Sequence, residues 1–151
     1  NTTSISETQV RRITRDMRTV LREADGANDV NCDIVFRLAE PVQEFAVGNG
    51  IINDSNDFNR INGQIPGDVK LVNQINWCGR FGSFLGCAPV PGNSLTVVRT
   101  NSDLEGVLWA HELGHNQGLP HRNQNNALMN TIISTRTRRI TSSECEQFLQ
   151  N

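Results

Sequence analysis

The chain has 151 residues, enough to close one core, since a chain of this length buries roughly 70% of the surface it exposes when unfolded. A net charge of −2 supplies no basic field, which excludes recruitment of nucleic acid or of an anionic membrane by bulk charge. No apolar run approaches the roughly 20 residues of a membrane helix and no charged-then-apolar leader opens the chain, so a mature, processed chain or a domain without membrane insertion is expected.

The first element starts at Ser4-Ile5-Ser6-Glu7, whose spacing predicts a capping box in which hydroxyl and carboxylate satisfy each other's orphan backbone donors. Val10, Ile13, Met17, Val20, Leu21 and Ala24 recur at helical spacing, Arg11, Arg15, Arg18 and Arg22 take the solvated faces, and Gly26 offers a left-handed stop. "CDIVFRLAE" (32–40) is β-branched and aromatic and halts at Pro41, which predicts a strand. The stretch 48–68 is rich in Asn, Asp and Gly and reads as surface loop. Within it "NDSNDFN" (53–59) carries oxygen ligands that suit calcium but lacks the order of a defined calcium loop. "VKLVNQINW" (69–77) and "SLTVVRT" (94–100) read as further strands, separated by the segment "CGRFGSFLGCAPVPG".

A second capping-box pattern, Ser102-Asp103-Leu104-Glu105, predicts a helix running to Gly118, and a third, Thr141-Ser142-Ser143-Glu144, a short terminal helix carrying Cys145, Phe148 and Leu149. These elements make one α+β domain over residues 1–151. Two Asn-x-Ser/Thr triplets, at Asn1 and Asn53, matter only in a glycosylating host.

Four cysteines without C-x-x-C spacing favour disulfides over a zinc ribbon or a redox motif, and with them a secreted, extracellular protein; buried reduced thiols in a cytosolic protein are the alternative. Of the three ways to pair them, Cys78 with Cys87 is favoured because "CGRFGSFLGC" closes on itself, which leaves Cys32 to Cys145.

All three histidines, His111, His115 and His121, fall in "HELGHNQGLPH". His111 and His115 lie one turn apart on the helix face shared by Leu104, Val107 and Leu108, so both imidazoles reach one metal ion. Glu112, about 100° around the helix, stays off the metal but reaches a water bound there, the place of a catalytic base. Gly118 permits the sharp turn that returns His121 as third ligand. Three nitrogen ligands leave a fourth position for water, which marks a catalytic zinc site; a structural site has no need of the glutamate.

The full H-E-x-x-H-x-x-G-x-x-H pattern resembles the extended zinc motif of the metzincin clan of metalloendopeptidases, and "ALMN" (127–130) resembles its Met-turn. Met129 follows His121 by eight residues, a matrixin-like gap, and by this resemblance forms a hydrophobic floor beneath the metal. The resemblance implies a metzincin-like domain with a twisted mixed β-sheet, a long N-terminal helix, an active-site helix and a short C-terminal helix, divided into a part up to Gly118 and a part from Leu119 onward. It implies a monomeric zinc endopeptidase acting on protein or peptide substrates, with Glu112 activating the water. It places an extended substrate along a strand edge near 83–88 and makes "NTIISTRTRR" (130–139) the outer wall of a substrate pocket, where Arg136, Arg138 and Arg139 either favour acidic residues or form a solvated turn. Three features depart from the clan. Only three residues precede Ser4, so the strand that opens a metzincin domain is expected to be missing, removed or outside this sequence. The chain has no tyrosine, so the Met-turn tyrosine of some branches is absent. Arg122, after the third histidine, does not match the residue that matrixins, adamalysins or astacins carry there. The alternative function is a catalytically silent zinc-containing binding module, such as a toxin or adhesin domain.

Overall fold

The computed structural model describes residues 3–22 and 32–150. The expected helix stop at Gly26, Ala24 and the Asn1 triplet lie outside these. The first helix, α1 (Glu7–Leu21), buries Val10, Ile13, Met17, Val20 and Leu21, the stripe that the sequence spacing predicts. Its cap is Ser6, not Ser4: Gln9 N donates to Ser6 Oγ at 3.2 Å and Ser6 N to Gln9 Oε1 at 2.8 Å. The S-x-x-Q pattern completes the same reciprocal box half a turn later.

Residues 32–40 form neither helix nor ladder strand, with Ile34, Phe36 and Leu38 packed on the core and alternate residues outward. No ladder partner lies beside them among the described residues, so the expected strand is an unpaired irregular segment. The alternating pattern was real, but alternation reports one apolar face and not a neighbouring strand.

The stretch expected as surface loop holds most of a short 3-10 helix (Val47–Gly50), then β1 (Ile51–Ile52) and α2 (Ser55–Gln64). Asp54 caps α2 by accepting from Asp57 N at 2.9 Å, while the Asp57 carboxylate accepts from Asn53 N at 3.0 Å and from Arg60 Nη2 at 2.7 Å. Both carboxylates serve a helix start, so nothing here supports a calcium loop. The helix carries no apolar stripe in its sequence, which is polar with only Ile61 fully buried.

The run 69–77 divides at Asn73 into β2 (Val69–Val72) and β3 (Gln74–Trp77). Asn73 N donates to Gly50 O, its Nδ2 to Asn49 O, and its Oδ1 accepts from Thr3, so this residue leaves the ladder to tie three segments together. Then follow β4 (Phe81–Phe84), β5 (Gly86–Cys87) and β6 (Leu95–Val98). Two three-stranded sheets result, ordered β1-β3-β4 and β2-β6-β5, each with one parallel and one antiparallel pairing. The mixed sheet expected from the sequence is therefore split in two. Leu85 O, between β4 and β5, still accepts from Val98 N at 2.8 Å, so the halves stay joined at that bend.

The helix α3 (Ser102–Asn116) packs between α1 and β6, and α4 (Ser142–Leu149) closes the core with Cys145 and Phe148. The α3 cap is Asn101, whose Oδ1 accepts from Leu104 N; the expected Ser102–Glu105 box does not form. Glu105 is instead buried between Arg99 (2.5 Å) and Arg12 (2.6 Å), an ion triad that ties α3 to α1. At α4 the Thr141–Glu144 box forms as predicted. Disulfides join Cys32 to Cys145 and Cys78 to Cys87. No helix of the described residues is long and apolar enough to cross a membrane.

Candidate metal centre

Helix α3 is buried almost all round in its C-terminal half, so His111, Glu112 and His115 lie away from solvent rather than on a solvated face. It ends in a Schellman motif. Gly118, with φ +87°, lets Gly118 N donate to His115 O and Leu119 N to Gly114 O, both at 2.9 Å. The chain thereby doubles back and delivers His121. The possible ligand atoms of His111, His115 and His121 all lie within 4.8 Å of one another. Glu112 is not in this group.

The geometry fits a metal ion. His115 Nε2 and His121 Nε2 stand 3.1 Å apart, close to the about 3.3 Å between two nitrogens that share a tetrahedral ion at roughly 2.0–2.1 Å. Two of the rings are aimed by backbone carbonyls: His111 Nδ1 donates to Leu128 O at 2.7 Å and His115 Nδ1 to Leu119 O at 2.8 Å. Each bond fixes the proton on Nδ1 and leaves Nε2 with its lone pair toward the cluster. Burial pushes His111 down to about 3, against the hydrogen bond it donates to Leu128 O, and burial likewise lowers His115. His121 is more exposed; partial burial first and then the nearby Arg80 charge lower it too. All three rings are thus neutral at pH 7, the form that binds metal.

Glu112 is buried, and among the described residues nothing donates to its carboxylate. Burial alone pushes it up to about 8. The strand β5 lies directly over it: a Cβ added at Gly86 would meet Glu112 Oε1 and come within 2.6 Å of its Cγ and Cδ. Sequence reasoning singled out the cysteine loop but not Gly86. The nearest signal was the edge placed at 83–88, whose glycine adjoins Cys87 and is thereby anchored by the Cys78 bridge.

The segment 127–130 is a tight turn, with Asn130 N donating to Ala127 O at 3.1 Å. Its Met129 is fully buried against Gly114, where a Cβ would stand 2.5 Å from Sδ and 3.3 Å from Phe148 Cζ. Residues after Asn130 loop outward, exposing Ile132 and Arg136, and return so that Ala127 bridges to Arg139. Arg122 is drawn away from solvent into an ion pair with Glu144.

The α+β fold and the three-imidazole cluster at the end of a buried helix define a zinc metallopeptidase. The sequence model of the matrixin family matches residues 12–147, and the chain belongs to that family. Among solved structures it is similar to archaemetzincin from Methanopyrus kandleri, at 19% identity and a TM-score of 0.50, over 70% of this chain and 67% of that one, which supports the shared fold. A search of the curated proteins finds no match. A matrixin-family enzyme acts on protein or peptide substrates, so the enzymatic reading of the sequence holds over that of a silent binding module.

Proposed function

We propose that this zinc peptidase is a secreted endopeptidase in which His111, His115 and His121 hold the ion, Met129 underlies it, and Glu112 moves the protons. The observation that carries the reading is the convergence of the three imidazoles, with the buried side chain of Glu112 next to His111 on the same helix. A carboxyl that burial holds partly desolvated beside a metal-binding cluster is placed for proton transfer. Zinc, when bound, lowers the pKa of water toward about 7 and polarises the peptide carbonyl, and its charge brings the Glu112 carboxylate within reach at neutral pH. Glu112 then takes a proton from the attacking water and hands it to the nitrogen of the scissile bond as that bond breaks. With no tyrosine in the chain, Glu112 handles both transfers.

The substrate lies extended beside β4 and β5, whose outer edge has no strand partner in either sheet among the described residues. Backbone hydrogen bonds to that edge would carry the peptide past Gly86 and over Glu112. The two disulfides support an oxidising, extracellular setting. The test compares wild type with Glu112→Ala on a fluorogenic peptide library, with and without chelator. Chelator-sensitive cleavage by wild type should fall by several orders of magnitude in the variant while zinc stays bound; near-normal turnover in the variant sinks the assignment.

A further inference from the structure

The three histidines are not supported alike. Backbone carbonyls aim His111 and His115, through Leu128 O and Leu119 O. No acceptor holds Nδ1 of His121 among the described residues, and its ring is the exposed one of the three. It also sits on irregular chain, five residues beyond the end of α3. An exposed ring on a loop should wander, and a wandering ligand binds metal weakly because ordering it costs conformational entropy.

Its neighbour supplies what the ring lacks. Arg122 N donates to Met129 O at 2.8 Å, so the residue after the third histidine is tied to the turn beneath the cluster. The Arg122 guanidinium grips Glu144 through Nε to Oε1 at 2.8 Å and Nη2 to Oε2 at 3.2 Å, and Nη2 also reaches Arg139 O at 3.3 Å. Glu144 is itself fixed, because its Oε2 accepts from Thr141 N in the α4 capping box and its neighbour Cys145 is bridged to Cys32. Arg139 O accepts from Leu128 N, and the Leu128 carbonyl aims His111. The residue pair Leu128–Met129 therefore supports both ends of the motif, His111 directly and His121 through Arg122.

Resting on the zinc-site reading above, we propose that Arg122 is a positioning residue: its clamp on Glu144, Arg139 O and Met129 O replaces the missing acceptor of His121 and sets the zinc affinity of the site. A bidentate guanidinium–carboxylate pair has the directional rigidity for this, which an ammonium at the same place lacks. Removal of such an outer support typically weakens metal binding about 10- to 100-fold.

The experiment measures zinc affinity by competition with a chromophoric chelator for wild type, Arg122→Met, Arg122→Lys, Glu144→Gln and Arg12→Met, each first shown by circular dichroism to be folded without metal. Arg12→Met breaks the distant Arg12–Glu105 pair and reports what general destabilisation does. Arg122→Met should bind zinc about 10- to 100-fold more weakly, Arg122→Lys by an intermediate factor, and Arg122→Met in a Glu144→Gln background should lose little more than Glu144→Gln alone. Arg12→Met should lower the melting temperature and leave zinc affinity unchanged. Zinc binding by Arg122→Met within twofold of wild type overturns the proposal, even if its melting temperature falls, and so does an equal loss in Arg12→Met. If Arg122→Met does not fold, Arg122→Lys decides on the same criteria. A wild-type protein that binds no zinc would overturn the underlying site reading as well, which separates the two failures.

Discussion

Gly86→Ala is the sharpest perturbation of the site, because it adds one carbon and removes no polar group. The added Cβ would stand 2.6 Å from Cγ and Cδ of Glu112 and closer still to Oε1, whereas ordinary contact begins at 3.4 Å, so carboxylate and strand must separate by about 1 Å. Neither side yields freely: Gly86 pairs with Val97 and adjoins the bridged Cys87, and Glu112 sits within α3 between two histidines. A displacement near 1 Å at a reacting group costs about 100-fold in rate, or about 2.7 kcal/mol of transition-state stabilisation. The crowding should also destabilise the fold by about 1–3 kcal/mol. Steady-state kinetics on a fluorogenic peptide, with zinc content and melting temperature measured in parallel, should show kcat down about 100-fold with zinc still bound. A kcat within threefold of wild type would refute the claim that β5 sets the position of Glu112.

In the metal-free protein an unfolded Glu112 ionises near 4.5 but a folded one near 8, so the unfolded state holds fewer protons in between and stability falls as pH rises through that window. Each pH unit of the gap is worth about 1.4 kcal/mol, so chelator-treated Glu112→Gln should gain about 3 kcal/mol over wild type at pH 7 and nothing at pH 4.5; parallel melting curves across that range would contradict the burial argument. On the acid side His111, ordinarily near 6.5 but about 3 when folded, should cost the metal-free protein about 2 kcal/mol between pH 7 and pH 5, read from urea midpoints, since the unfolded chain takes up the proton first. Gly114→Ala should destabilise by about 1–3 kcal/mol and weaken zinc binding, because its methyl would collide with Met129 Sδ; an unchanged melting temperature would show that the turn yields freely. Opening the Cys32–Cys145 bridge, which spans 113 residues, should cost about 4.8 kcal/mol, against about 2.6 kcal/mol for the 9-residue Cys78–Cys87 loop. Peptidase assays should show the reverse order, since the smaller loop holds the strand over Glu112.

What the sequence disclosed depended on whether the responsible interaction was local. The α1 stripe, the α4 capping box and the turn at Gly118 are settled within a few residues, and their spacing alone predicts them. The helix pair His111 and His115 is of the same kind. The division of 69–77 at Asn73 is not, because the groups that draw Asn73 out of the ladder belong to Thr3, Asn49 and Gly50. Glu105 shows the same limit: its place in the pattern suits a capping box, but Arg12 and Arg99, one of them 93 residues away, hold it instead. Residues 32–40 display a strand's alternation because one face meets the core, and a sequence carries no mark of whether a second strand stands alongside.

The parts of the site that stayed hidden share one cause. A ligand or a base declares itself by the chemistry of its side chain, but Gly86 acts through the side chain it lacks and Arg122 through partners 17 and 22 residues away. Arg122 departs from the motif's neighbours in other branches, and an irregularity of that kind beside an otherwise complete metal motif has a structural reading: the ligand it adjoins is held by different means. In this chain the means is visible as a trade. His121 has no carbonyl to aim it, and the adjacent position carries the one side chain able to grip a carboxylate with two parallel bonds. A metal motif is therefore better read together with the residue that follows each ligand, since that residue fixes the backbone from which the ligand reaches.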